Sequence, residues 1–148
     1  MRLTTTDLAW AAGLIDGEGC IRINRGRAQG KHLSPRYGVQ LIVKMTHEAS
    51  VRRLALMFGG SVYHKNAAVN RSELWGWQPN QELSRRAIEV LLPYLFTKAA
   101  EARLALQFFT LPLAQRGVKT PNNIIDARDK LFCSIRDMKT VNRLKEVI

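Results

Sequence analysis

The chain has 148 residues, 46% of them apolar, which is enough to fill the core of one compact domain. Lysine and arginine number 23 against 12 acids, giving a net charge of +11 and a pI near 10.4; no fold demands this bias, and a polyanion, above all nucleic acid, explains it. No apolar run approaches the ~18 residues of a spanning helix, and Asp7 and Asp16 interrupt the apolar stretch near the N-terminus, so neither a membrane partner nor a signal peptide is expected.

Cys20 and Cys133 are the only cysteines and lie far apart, which argues against a disulfide framework or a zinc cage and for two small buried side chains. The composition fits an intracellular protein; bacterial or phage cytoplasm and an organelle matrix are equally compatible with it.

In chain order, Thr4 and Asp7 have capping-box spacing ahead of Leu8, Ala12 and Ile15, which predicts a first helix stopping at Gly17. Ile21 and Ile23 then alternate with Arg22 and Asn24, and Val39, Leu41, Val43 and Met45 with Gln40 and Lys44, predicting two strands from Cys20 onward. The basic, glycine-containing segment between them reads as a long hairpin connection. "HEASVRRLALMF" predicts a second helix ended by Gly59-Gly60, and "SVYHK" and "ELWGWQ" a second hairpin. Two more helices follow, one stopped by Pro93 and one capped by Thr97, and "DARDKLFCSIRDM" predicts a last one. The order gives an α+β domain with an antiparallel sheet packed on helices: a core of about residues 5–111 and a C-terminal helical extension of about 112–148.

Gly13 stands inside the first helix at a cost of about 1 kcal/mol relative to Ala, so another reason for it is required. Ala9, Gly13 and Gly17 follow one another at i+4 steps, and this small-residue face could pack on the chain's own sheet or on another helix. At the helix end, Asp16-Gly17-Glu18-Gly19 sets two carboxylates among glycines, where Glu18 and a glycine carbonyl could hold a hard divalent cation; by itself such a turn is usually a solvated or capping one.

"AAGLIDGEG", Ala11–Gly19, resembles the nine-residue signature of the LAGLIDADG homing endonucleases, with Ala for the first Leu and Gly-Glu for the Ala-Asp near its end. "VKMTHEASVRRLALMFGG", the "WGW" strand and "LLPYLFTKAAEARLALQFF" resemble successive elements of the same family, so the likeness extends from Thr5 to about Leu111. It implies an αββαββα core whose saddle-shaped sheet lies on double-stranded DNA. One signature per chain implies a homodimer, with Ala9, Gly13 and Gly17 at the seam and a staggered double-strand break in a long, pseudo-palindromic target.

The resemblance further implies Mg²⁺ as cofactor, with Mn²⁺ able to substitute, held by Glu18 and the Gly17 carbonyl. Asp16 is expected to be a structural acid. Lys98 matches a lysine near the cleavage centre, and His47 stands where relatives use a polar residue to organise water. Arg22, Asn24, Gln40 and Lys44 share the polar side of the first hairpin; Lys65, Arg71 and Trp75 belong to the second, and Arg25, Arg27, Lys31 and Arg36 to the first hairpin's tip, making these the expected DNA contacts. Alternatives within the same fold are a maturase bound to its host intron RNA and a DNA-binding protein that does not cleave. Glu18 and Lys98 favour the nuclease, since a binder could shed both.

Overall fold

The computed structural model describes residues 1–30 and 33–147. The first helix, α1 (Thr5–Glu18), opens with the expected capping box: Thr4 Oγ1 accepts from the Asp7 N–H at 3.2 Å and the Asp7 carboxylate accepts from the Thr4 N–H at 3.0 Å. The helix does not stop at Gly17. It runs on to Glu18, and Gly19 closes it in an extended conformation, its N–H donating to the Ile15 carbonyl. The requirement for glycine at 19 is steric, because a Cβ there would lie 2.8 Å from the Ile15 carbonyl oxygen and 2.9 Å from its Cα.

Four strands form one antiparallel sheet in the order β1-β2-β4-β3: β1 (Gly19–Gly26), β2 (Arg36–Met45), β3 (Ser61–Lys65) and β4 (Leu74–Gln78). Among the described residues the other elements are helices α2 (Glu48–Phe58), α3 (Gln81–Leu91), α4 (Ala99–Phe109) and α5 (Asn122–Val147) and a 3-10 turn at Leu92–Tyr94. Alternation sends Ile21, Ile23, Val39, Leu41 and Val43 to one face, where they join Ala11, Ala12, Ile15, Val51, Leu54, Ile88 and Leu91 in the core. Trp77 is fully buried there, its Nε1 donating to the Gly59 carbonyl at 2.7 Å. Gly59 and Gly60 take positive φ values of 75° and 100°, making the turn expected after α2.

β4 pairs with β2 only at Val43–Met45, so the upper part of β2 has no neighbouring strand on that side. The Gln81 amide stands in for one: its oxygen accepts from the Val39 N–H at 2.9 Å and its nitrogen donates to the Val39 carbonyl.

Two helical expectations are corrected. Thr97 is exposed and caps nothing; α4 begins after Lys98, and the Asp16 carboxylate of α1 accepts the N–H groups of Phe96 (2.8 Å) and Lys98 (2.9 Å). That carboxylate holds the loop leading into α4; it accepts the N–H of Lys98, the residue before the helix, and none from the first helical turn. The last helix is also much longer than Asp126–Met138. It runs back along edge strand β1, from Asp129 opposite Arg25 to Lys139, whose Nζ is 3.2 Å from Cys20 Sγ. Both cysteines are consequently half-buried free thiols rather than core residues.

Candidate functional site

Because α1 runs directly into β1, its C-terminal end is fixed to one end of the sheet, where β2 also ends. Asp16 is the structural acid here, both carboxylate oxygens being taken by the main chain of the loop before α4. In return Lys98 Nζ donates to the Asp16 carbonyl at 2.6 Å, a carbonyl of the last helical turn that has lost its helical donor. Lys98 is half-buried and held at this end rather than solvated, and Glu18 stands exposed two residues further on. His47 follows β2 at the same end of the sheet; it is exposed, and its Nδ1 lies 2.8 Å from Ser50 Oγ.

The outer face of the sheet carries the other parity. Arg22 is directly opposite Gln40, Asn24 opposite Gly38, Arg36 opposite Gly26 and Lys44 opposite Gly76. Arg22 Nε donates to Gln40 Oε1, which fixes the guanidinium over the face. Lys65 extends the same face on β3, while Arg71 is exposed in the β3–β4 loop and Arg27 in the loop after β1. Lys31 lies outside the described residues.

Two expected contacts are on the opposite side. Arg25 has the parity of Ile21 and Ile23 and turns toward α5, where it pairs with Asp129 at 2.7 Å and lies 4.4 Å from the centroid of the Phe132 ring. Trp75 shares the side of Trp77, 4.4 Å from the His64 ring and 5.2 Å from the Arg52 guanidinium. In each case a helix packed on the inner face claims the side chain.

No family model matches the sequence, and no curated protein does. Among solved structures, the homing endonuclease I-CvuI, in complex with a DNA target in the presence of Mg, aligns with a TM-score of 0.61 at 21% identity over 85% of this chain and 94% of that one. The homing endonuclease I-TnaI aligns with a TM-score of 0.53 at 14% identity over 88% and 99%. The meganuclease I-SmaMI, bound to uncleavable DNA, gives 0.62 at 12% identity over 94% of this chain but only 45% of its own. The chain has the LAGLIDADG homing-endonuclease fold.

In this LAGLIDADG fold the signature helix shows one bare stripe. Ala9, Gly13 and Gly17 are exposed, and a Cβ at Gly13 or Gly17 would meet nothing within 4 Å. The chain's own sheet therefore does not account for Gly13.

As for a metal, the described residues of one chain contain no cluster of three or more His, Cys, Asp or Glu able to hold an ion. The Glu18 carboxylate and Gly17 carbonyl are hard oxygen donors of the kind Mg²⁺ prefers, while each Asp16 oxygen already accepts a main-chain N–H. One chain thus offers a partial donor set that suits a shared site, to be completed by phosphate, water or a second chain.

Two residues were missed in the sequence. Tyr63, directly across from Gly76, lays its ring over the glycine's bare backbone on the outer face; the alternation of "SVYHK" puts it on the side of Lys65 and could have revealed it. Lys139 reaches Cys20 because α5 continues past Met138 alongside β1.

Proposed function

We propose that the protein is a site-specific DNA endonuclease, acting as a homodimer that makes a staggered, Mg²⁺-dependent double-strand break in a long pseudo-palindromic target. The observation that carries this reading is the convergence of Glu18, the Gly17 carbonyl and Lys98 on one helix end, at the edge of a sheet face bearing Arg22, Asn24, Gln40 and Lys44. The homing-endonuclease structures of the same fold, several of them complexes with DNA, support it.

In this reading Arg22 and Gln40 read base edges, while Arg27, Arg36, Lys44, Lys65 and Arg71 engage phosphate. The Ala9-Gly13-Gly17 stripe receives the same stripe of a second copy, so that two Glu18 side chains serve two strands. Glu18 and the Gly17 carbonyl would hold Mg²⁺, or Mn²⁺ in its place; the ion would stabilise charge on the attacking and leaving oxygens of phosphodiester hydrolysis. Lys98 sets a positive charge beside the same phosphate, where it counts most as charge builds in the transition state, and His47 can orient water as a neutral donor and acceptor.

The test is selection of cleaved sites from a randomised duplex library in Mg²⁺, which reports activity, target and symmetry together. Recovery of a two-fold related site supports the reading. Tight binding without cleavage would leave a DNA-binding protein, and preference for a structured intron RNA would make the protein a maturase.

A further inference from the structure

A second concave region lies away from the outer face of the sheet. A cleft of about 970 Å³ opens between the inner side of the β1–β2 hairpin, the end of α4, the segment after it and the start of α5. At its wall stands Arg128, only 5% exposed. One guanidinium nitrogen donates to the Pro112 carbonyl, but Nε is buried with no hydrogen-bond partner among the described residues. Such an atom is uncommon in a folded protein, and a buried guanidinium without a counter-charge is costly.

Two of the acids nearby are already paired, and Asp126, two residues before Arg128, is exposed and makes no ion pair among the described residues. Glu82, which lines the same cleft, is paired with Arg85 and Arg86 at 2.6 and 2.9 Å, and Asp129, one residue along from Arg128, with Arg25 at 2.7 Å. What is missing at Arg128 is an anion. Arg116 lines the cleft too, whereas the Arg36 guanidinium lies over Gly26 on the outer face, so the charge of Arg128 and Arg116 exceeds what a single carboxylate would balance. Tyr37, Phe108 and Phe109 supply aromatic wall, the surface on which a flat ring stacks.

We propose that this cleft binds a nucleotide unit, a phosphate carried on an aromatic base, with Arg128 as its phosphate anchor. The guanidinium fork suits phosphate oxygens, and a phosphate in the cleft would supply the counter-charge that Arg128 lacks among the described residues. The inference stands on the cleft alone and does not depend on DNA cleavage by the other face. Its source could be a free nucleotide or the end of a single strand, which share this chemistry.

The test is thermal unfolding of the full chain, at constant ionic strength, titrated with adenosine monophosphate, inorganic phosphate, or a 5′-phosphorylated single-stranded dinucleotide. A nucleotide should raise the melting temperature at concentrations at least about tenfold below those inorganic phosphate needs. Arg128→Met should lose that response. In case the variant does not fold, photocrosslinking of 8-azidoadenosine monophosphate to the unaltered protein supplies an independent readout, expected on residues 108–118.

Response to the dinucleotide alone identifies a strand end as the source, and response to the mononucleotide a free nucleotide. Equal potency of inorganic phosphate, an undiminished response in folded Arg128→Met, crosslinks confined to the outer face of the sheet, or no response to either nucleotide would overturn the proposal.

Discussion

Lys98 Nζ lies 2.6 Å from the main-chain carbonyl oxygen of Asp16, while the Asp16 carboxylate accepts the Lys98 N–H at 2.9 Å. The two residues are 82 positions apart and hold each other at the end of the signature helix, so the cation there is built into the fold. Lys98→Ala should slow cleavage by roughly 10²-fold, the order expected for losing one preorganised charge at a reacting phosphate, with DNA affinity nearly unchanged. Asp16→Ala leaves two N–H groups without their acceptor and should cost about 1–3 kcal/mol of stability as well as activity. Single-turnover cleavage and urea denaturation of the two variants separate these effects.

Two glycines of α1 should respond in opposite senses. A Cβ at Gly13 meets nothing, so Gly13→Ala should raise the intrinsic stability of the folded chain by up to about 1 kcal/mol. Gly13→Leu should leave a folded monomer that cannot make double-strand breaks. Gly19→Ala forces a Cβ against the Ile15 backbone and should destabilise by roughly 1–3 kcal/mol. Sedimentation and denaturant titration report both; dimers of Gly13→Leu as tight as the wild type would remove the stripe from the seam.

Arg22 and Gln40 are directly paired on the outer face and bonded to each other, so they should read DNA as a unit. Arg22→Ala should relax preference at one position of each half-site by about 1–3 kcal/mol. Gln40→Ala, which frees the guanidinium, should loosen the same position, and the double variant should cost less than the sum. Lys44→Ala should weaken all sequences alike and flatten the salt dependence. Site profiling of the four proteins is the measurement.

The clamp between hairpin and α5 should show in pH. Hydrogen bonds from Arg25 and Tyr37 hold the Asp129 carboxyl below its ordinary value of 3.8, so its contribution is present above that value and lost as pH falls below it. Burial, with the bond to Asp129, pushes the Tyr37 hydroxyl up to about 12, so its contribution is full below pH 10 and lost as pH rises toward 12. Asp129→Asn should lower the melting temperature at neutral pH and narrow its gap from the wild type near pH 3. An unchanged gap between the two pH values would place the stabilisation elsewhere.

Periodicity was enough for the sheet and most of the helices, because Ile21, Ile23, Val39, Leu41 and Val43 alternate against polar neighbours that face solvent. It failed wherever a distant element decides. Arg25 looks like an exposed hairpin-tip residue in sequence, and Trp75 fits either a core position or a DNA contact; α5 and α2 take both to the inner side. Thr97 has the chemistry of a cap, yet α4 starts one residue later than that, after a loop that Asp16 holds from a helix no local window contains. The extra length of α5 was not read although Val141, Leu144 and Val147 continue a three-residue apolar spacing past Met138; all three stay exposed, so no packing within the chain marks those turns. The carboxylate at the helix end, by contrast, could be read from the order Asp16-Gly17-Glu18-Gly19, since its placement depends only on where α1 stops and β1 starts.

Glu18 bears the central claim, and the most direct measurement is cleavage of supercoiled plasmid carrying the selected site by Glu18→Gln beside the wild type. The wild type should give linear product in Mg²⁺ and in Mn²⁺ but little or none in Ca²⁺, whose larger, looser shell positions the attacking water less well. Glu18→Gln should give neither nicked nor linear product while binding the site as tightly or slightly more so, since a negative charge facing phosphate has been removed. Cleavage by Glu18→Gln at the wild-type rate, or tight binding by the wild type with no product in either Mg²⁺ or Mn²⁺, would contradict it.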